Sequence, residues 1–166
     1  MPNFKESFEE LYDRYLERIF RFVFVKVNSR ELAEDLCSEI FSRFWKKYQE
    51  IDIENPQAFL YQIARNVVAD YYRSRKPQTV NLEEVMNVVD INSSKTEEEM
   101  HRSLEMEKVY KAIRLLNEDY QNFIIWYYLE ELSVPEIVQI VSKTENSVRV
   151  AIHRSLHALK QQLERV

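Results

Sequence analysis

Apolar residues recur at every third or fourth position along most of this chain, which is the spacing of one face of an α-helix. The stretch from Phe22 to Val25 is apolar on nearly all sides, so we expect it to be buried on more than one side. The first pattern stops at Pro77, since proline interrupts a helix. It predicts an N-terminal three-helix domain over residues 1–76, with helices at about 5–27, 30–48 and 56–75.

The same spacing returns near residue 103. Ser133, Pro135 and Glu136 mark the start of a short helix, with a capping serine, an early proline and a glutamate three positions after the cap. A tight turn at 142–145 separates this helix from a longer one. The pattern predicts a four-helix C-terminal domain over residues 104–166, with helices at about 103–116, 120–130 and 134–141 and a last one from Asn146 or Ser147 to Leu163.

Residues 77–103 separate the two patterns and are polar and acidic. They contain too few apolar residues to bury a core, so we expect a linker, which spans at most ~90 Å when fully extended. The chain contains no glycine, which argues against tight β-hairpins and excludes a glycine-rich phosphate loop. The prediction is an all-α fold of two small helical domains joined by an acidic linker.

The composition disfavours several classes of protein. The single cysteine, Cys37, cannot form an internal disulfide, and no cysteine cluster suits zinc. The charged N-terminus lacks the apolar core of a signal peptide, and no uncharged run approaches the ~20 residues that span a bilayer. No nucleophile–base pair or metal cluster is present. We therefore expect a cytoplasmic protein that is not an enzyme and uses no cofactor, metal or small-molecule substrate.

The last helix has an apolar stripe with basic residues beside it. A basic helix that follows a short helix and a turn is the layout of a DNA-reading helix-turn-helix. An ordinary helical hairpin with a solvated basic face gives the same pattern. Two of the basic residues are histidines four positions apart, which suits a metal, but no third ligand is apparent nearby. The basic residues are Arg149, His153, Arg154, His157 and Lys160.

The net charge of −5 disfavours nucleic acid as a partner, but the acid excess lies mostly in residues 77–103. A locally basic helix on an acidic protein makes few phosphate contacts, so its affinity for DNA is expected to be modest on its own. This argues for a partner that supplies further contacts.

Two N-terminal helices carry charged faces with more than one explanation. The second helix is acidic at its start and basic at its end, which either complements the helix dipole or forms a protein-docking face. The third helix ends in alternating aromatic and basic residues at 71–76. Such a surface suits unpaired nucleotides, but it is equally the solvated end of an ordinary helix.

Four segments, in this order along the chain, resemble the extracytoplasmic-function sigma factors, the minimal members of the bacterial sigma-70 family. They are FEELYDRYLERIFRF at 8–22, AEDLCSEIFSRFWK at 33–46, PQAFLYQIARNVVADYYRSRK at 56–76 and EELSVPEIVQIVSKTENSVRVAIHRSLHAL at 130–159. The resemblance implies a promoter-specificity subunit of RNA polymerase. Its partners would be bacterial core RNA polymerase, promoter DNA and a membrane-linked anti-sigma factor that holds it inactive.

The resemblance also implies roles for individual residues. Asp35, Glu39 and Arg43 would face a coiled coil of the largest polymerase subunit. The third helix and the loop at 49–55 would contact the melted −10 element, and the helix-turn-helix would read the −35 element, on the order of 50–55 Å away. The implied −10 residues are Asn55, Tyr61, Arg65, Asn66, Asp70 and Arg73. The implied −35 residues are Thr144, Asn146, Ser147, Arg149, His153, Arg154 and His157.

The chain departs from the family pattern at several positions. Glu131 and Ser142 stand where relatives commonly have glycine, and Ala151, Leu156 and Ala158 stand at positions that are often basic. Lys143 replaces an apolar residue, and Ser38 replaces a glutamine. Two other functions remain open: a helix-turn-helix regulator that acts without polymerase, and an interaction protein that does not bind DNA but titrates polymerase or an anti-sigma factor.

Overall fold

The computed structural model describes residues 5–75 and 96–165, and all regular secondary structure in these two parts is helical. This confirms the all-α prediction. None of the described helices is long and apolar enough to cross a lipid bilayer. The helices are α1 (Phe8–Val27), α2 (Arg30–Glu50), α3 (Pro56–Ser74), α4 (Glu97–Arg114), α5 (Glu118–Ile124), α6 (Val134–Val141) and α7 (Glu145–Arg165), with a π-helical turn (Ile125–Leu129) directly after α5.

Side-chain caps explain where the first three helices begin. Ser7 accepts a hydrogen bond from the Glu10 N–H, and Glu10 accepts one from the Ser7 N–H, which is a complete capping box. Ser29 caps α2 in the simpler way, through its hydroxyl alone. Asn55 accepts from the Ala58 N–H at the start of α3, where proline occupies the first turn.

Helix α4 begins at Glu97 rather than near residue 103, so part of the predicted linker is helical. Thr96 and Glu99 form a capping box at this point. Three of the acidic residues that suggested a linker, Glu97, Glu98 and Glu99, occupy the first helical turn, where negative charge is favoured by the helix dipole. The rest of the predicted linker, up to residue 95, lies outside the described residues.

The predicted helix at 120–130 is regular only as far as Ile124. The Glu130 N–H then donates to the Ile125 carbonyl five residues earlier, which is the hydrogen bond of a π-helix. Further along, α7 starts at Glu145, one residue before the predicted start. Thr144 provides the cap, since its hydroxyl accepts from the Ser147 N–H.

The N-terminal helices α1, α2 and α3 pack against each other, and α5, α6 and α7 form a second group. The two groups are also in contact, through α3 against α6 and α1 against α4. At the centre of this contact the rings of Phe22 and Trp126 are stacked, with centroids 5.8 Å apart and an interplanar angle of 4°. The buried apolar residues of both halves therefore form one continuous core.

Among the residues that the structure describes, three adopt the left-handed backbone conformation although none of them is glycine. They are Asn28, Glu131 and Ser142, with φ between 52° and 55°. Each follows a helical segment, where glycine is commonly found because it has no Cβ to clash in this region. Asparagine tolerates the conformation, but glutamate and serine are strained there. A glycine at the position of Glu131 or Ser142 would therefore relieve this strain.

We expect Ser142→Gly to raise the free energy of unfolding by about 0.5–1 kcal/mol, because relief of the left-handed strain outweighs the added entropy of the unfolded chain. For a protein of this size the melting temperature should rise by about 2 °C. Thermal unfolding, monitored by circular dichroism, measures the free energy of unfolding and the melting temperature. Asn28→Gly is the matched control and should change the melting temperature much less. Destabilisation by Ser142→Gly would contradict the strain argument.

Candidate nucleic-acid interface

The three residues implied in polymerase docking lie on successive turns of α2. Asp35, Glu39 and Arg43 are all exposed and are spaced by four residues, so they form one stripe on the helix. A Glu39 carboxylate oxygen lies 2.5 Å from an Arg43 guanidinium nitrogen. The structure therefore presents these residues together on a surface that a partner can reach.

This stripe continues onto α3 through Asp70. The Asp70 carboxylate lies 3.8 Å from the Arg43 guanidinium and 3.9 Å from that of Arg73. All three side chains are about half exposed or more, so each ion pair contributes little to stability. These ion pairs matter for their position, because they place the implied docking residues of α2 next to the implied −10 residues of α3.

An open apolar groove borders the α2 stripe on the side of α1. Its volume is about 840 Å³, and its lining includes the aromatic residues Phe8, Tyr12 and Trp45. Tyr12 and Trp45 are more than one-third exposed. Arg21 also lines the groove. The groove thus adds apolar surface beside the charged stripe.

Most of the implied −10 residues are accessible on α3. Asn66, Asp70 and Arg73 are exposed, and Arg65 is half-buried. Asn55 is exposed as well, but its side chain also caps α3. These positions are compatible with a contact to DNA.

The aromatic residues near the end of α3 have partners within the protein. The Tyr72 hydroxyl donates to the Lys26 carbonyl at 2.9 Å. The guanidinium of Arg75 lies 4.9 Å from the centre of the Tyr71 ring. These contacts favour a structural role for both rings over a stacking surface for nucleotides.

Tyr61 does not fit its implied role as a −10 contact. Its side chain is completely buried, with its ring 5.7 Å from Phe22 and 6.2 Å from Trp126. Burial also raises the pKa of its hydroxyl above the usual range. The C-terminal half covers this part of α3, which a local sequence pattern cannot reveal.

The helix-turn-helix is formed by α6 and α7. Ser133 and Glu136 form a capping box at the start of α6, and the left-handed Ser142 ends it. Helix α7 buries Val148, Ile152 and Leu159. On its accessible sides and in the preceding turn, all seven implied −35 residues are exposed: Thr144, Asn146, Ser147, Arg149, His153, Arg154 and His157.

Two further observations bear on α7. Ala151, Leu156 and Ala158 are half-buried, so these three positions lie at the margin of the core. His153 and His157 are exposed, and in the parts of the chain that the structure describes no group of three or more potential ligands suits a metal ion.

Between the two halves, polar pairs that the sequence did not reveal surround the apolar centre. Lys26 is only 3% exposed, and its ammonium donates to Asn122 Oδ1 at 2.6 Å. Burial lowers the pKa of Lys26 to about 8, and the nearby Arg65 adds to this shift, whereas Glu118 and Asp119 oppose it. The only local signal was a single lysine in the otherwise apolar stretch at 22–27.

A second pair joins α1 to the segment before α6. The Arg21 guanidinium donates two hydrogen bonds to the Glu130 carboxylate, at 3.0 and 3.1 Å. The Glu130 side chain is 1% exposed, whereas that of Arg21 is 53% exposed. The bond to Glu130 raises the pKa of Arg21. The buried carboxylate therefore depends on Arg21 for compensation of its charge.

Hydrogen bonds between α3 and α6 complete the contact. The Gln57 amide donates to the Glu136 carboxylate at 2.8 Å, and the Gln62 amide donates to the Ile140 carbonyl at 2.9 Å. Hydrogen bonds from Ser133 and Gln57 lower the pKa of Glu136. Two polar side chains of α3 are thus engaged by the helix-turn-helix.

Comparisons with known proteins match each half of the chain. The family model described as Sigma-70 region 2 matches residues 11–78, and the model described as Sigma-70, region 4 matches residues 106–159. The ECF RNA polymerase sigma factor BldN of Streptomyces coelicolor is 30% identical over 160 residues, which cover 93% of this chain but 59% of BldN. The ECF RNA polymerase sigma factor SigM of Bacillus subtilis is 25% identical over 154 residues, which cover 93% of each protein.

A solved structure shares the fold. It is the sigma factor RpoE in complex with the anti-sigma factor NepR from Bartonella quintana, with a TM-score of 0.70 and 17% sequence identity. The match covers 95% of this chain and 96% of that one, so the likeness extends over both halves.

The buried Lys26 predicts a pH dependence of stability. Its pKa is about 8 in the folded protein against an ordinary value of 10.5, so between these values the unfolded chain binds more protons and stability rises with pH. Relative to Lys26→Met, which does not titrate, the wild type should gain up to about 3 kcal/mol from pH 8 to 10.5. Urea denaturation at several pH values measures this. Lys46→Met, an exposed substitution of the same kind, is the control, and parallel curves for wild type and Lys26→Met would refute the prediction.

Proposed function

The chain belongs to the sigma-70 family as an extracytoplasmic-function sigma factor, a class of protein that directs transcription initiation. We propose that three exposed faces of the chain carry out separate parts of this function. The α2 stripe binds core RNA polymerase, the accessible part of α3 contacts the −10 element, and α7 reads the −35 element. A sigma factor is not itself an enzyme. It supplies promoter recognition to the catalytic core, so no cofactor or small-molecule substrate is assigned to it.

The observation that carries this proposal is the helix-turn-helix. Its seven implied −35 residues are all exposed, while Val148, Ile152 and Leu159 hold the opposite side of α7 in the core. Arg149 and Arg154 suit hydrogen bonds to guanine edges or phosphates in the major groove. Thr144, Asn146 and Ser147 lie at the start of α7, where backbone N–H groups and the helix dipole favour phosphate.

The α2 stripe suits a protein partner better than DNA. Asp35 and Glu39 are acidic and exposed, so phosphates would repel them. A partner with basic groups can pair with both residues, and the neighbouring apolar groove adds surface for burial. We therefore assign this surface to core polymerase rather than to nucleic acid.

The family supplies two further expectations. RpoE is seen in complex with an anti-sigma factor, and we propose that a membrane-linked anti-sigma factor binds this chain as well. Because core polymerase and promoter DNA occupy the bacterial cytoplasm, we propose that the chain acts there.

Run-off transcription with purified core polymerase on genomic fragments tests the whole proposal. The proposal fails if the chain stimulates no start sites and does not co-purify with core.

The docking assignment predicts that Asp35→Arg combined with Glu39→Arg abolishes binding to core polymerase, because both exposed carboxylates become positive. Co-purification with core measures binding, and circular dichroism checks that the helices remain. Glu97→Arg with Glu98→Arg makes the same change in net charge on α4 and should leave binding intact. If the α2 variant binds core as the wild type does, the docking face lies elsewhere.

The −35 assignment predicts that Arg149→Ala lowers transcription by about 10- to 100-fold at promoters that need a −35 element, as expected for loss of one specific base contact. Arg165→Ala removes the same charge at the far end of α7 and should have a small effect. Run-off transcription at fixed salt compares the two variants. Equal losses would indicate a general electrostatic effect and not a specific contact.

A further inference from the structure

We propose that Val150 is a specificity-determining residue of α7, and that it recognises the C5 methyl group of a thymine in the −35 element. Val150 is not among the residues implied in the −35 contact, yet it lies at the centre of the surface that they form. The proposal rests on the function above and deepens it, since it names one base that α7 reads and the chemical group by which α7 reads it.

Val150 differs in exposure from the other large apolar residues of α7. It is 40% exposed. Along α7, which the structure describes over its whole length, every other valine, leucine and isoleucine is buried or half-buried. Val148 belongs to the core and Leu156 packs against it. Packing within the chain therefore does not explain why position 150 is apolar.

Val150 points away from the core. An α-helix turns by about 100° per residue, and Val150 is two residues from both Val148 and Ile152, which are buried. It therefore lies about 160° around the helix axis from each of them, almost opposite the buried side. Val150 is also the sixth residue of α7, within the N-terminal part of a recognition helix that contacts base edges.

Polar residues surround Val150 on this surface. Asn146 and Ser147 lie one turn before it, and His153 and Arg154 lie one turn after it. All four of these residues are exposed. Each of them can form hydrogen bonds through its side chain. The surface is thus suited to hydrogen bonds with DNA everywhere except at its centre, where it is apolar.

An exposed valine is an unfavourable choice for the helix itself. Its β-branched side chain loses rotational freedom in a helix, so valine has a lower helix propensity than alanine, lysine or arginine. Val150 recovers little of this cost by burial, because it faces solvent. A partner that covers the side chain would recover it, which favours a functional reason for valine at this position.

Thymine is the base that an apolar side chain in the major groove favours. Every base presents hydrogen-bond donors or acceptors there, and thymine alone adds a methyl group. Contact between this methyl group and the methyl groups of Val150 removes apolar area of both from water. Against cytosine, the same side chain would cover the N4 amino group and leave a donor unpaired. Val150 therefore favours thymine and disfavours cytosine.

Replacement of thymine by deoxyuridine tests this contact, because deoxyuridine lacks only the C5 methyl group. We expect one position of the −35 element, on either strand, at which the replacement lowers the affinity of the holoenzyme about fourfold, as for one buried methyl group. Competition binding measures this ratio at a fixed salt concentration. The fragments are promoters found by run-off transcription, with each thymine of the element replaced in turn.

Variants at position 150 connect the response to valine. Val150→Ala should bind the thymine and uracil forms equally at this position. Val150→Thr keeps one methyl group and should retain most of the difference. Leu115→Ala is the matched control, since Leu115 is 57% exposed outside the helix-turn-helix, and it should keep the fourfold ratio. Alanine favours a helix more than valine does, so the melting temperature of Val150→Ala should not fall.

A valine without a role in base recognition would give a different result. If the wild type shows no position that responds to loss of the methyl group, the proposal is wrong. Equal thymine-to-uracil ratios for the wild type and Val150→Ala at every position would also overturn it, because the methyl group would then be read by another residue.

Selection of duplexes by the free chain separates this contact from the function above. The chain selects from a pool of random duplexes at low salt, where its phosphate contacts are strongest, and the selected duplexes receive the same deoxyuridine replacements. If the chain stimulates no start sites with core polymerase but these duplexes show a response that Val150→Ala loses, the function above fails and the thymine contact stands. If neither promoters nor selected duplexes respond, the thymine contact is overturned.

Discussion

The stacking of Phe22 on Trp126 is the interaction on which the rest of the structure depends. One ring belongs to α1 and the other to the π-helical turn after α5, and both are almost completely buried, with Tyr61 against their edges. Large aromatic side chains bury more apolar area than any others, so this cluster dominates the contact. The hydrogen bonds from α3 to α6 and the pairs at Lys26 and Arg21 are arranged around it. The same cluster that completes the core also buries Tyr61, one of the residues implied in the −10 contact.

Much of the fold was predictable because it is encoded locally. The helices α2 and α3 begin where the pattern predicted, because capping residues such as Ser29 and Asn55 act on neighbours only three positions away. The expectation that Phe22 is buried on more than one side was also confirmed, since it contacts both Tyr61 and Trp126. The early start of α4 was missed, because an acidic run is equally typical of a solvated linker and of a first helical turn.

The candidate site was less predictable wherever it depends on contacts between distant parts of the chain. The exposure of Asp35, Glu39 and the −35 residues followed from helical periodicity. The burial of Tyr61 did not follow from the local pattern, because the residues that cover it lie beyond the acidic segment in the sequence. Lys26 and Glu130 were missed for the same reason, since each has its partner about one hundred positions away. A local pattern shows which face of a helix is polar, but it does not show which residues that face contacts.

The sequence separation between Arg21 and Glu130 has a consequence for the newly made protein. Arg21 and Glu130 are 109 positions apart, and ribosomes add about 5–20 residues per second. The N-terminal helices, which pack through local contacts and end at residue 74, therefore exist for roughly 3–11 s before Glu130 has been synthesised. During translation the N-terminal half has its full surface exposed, including the side of α3 that is later covered. Each molecule thus passes once through a form in which the two halves are not in contact.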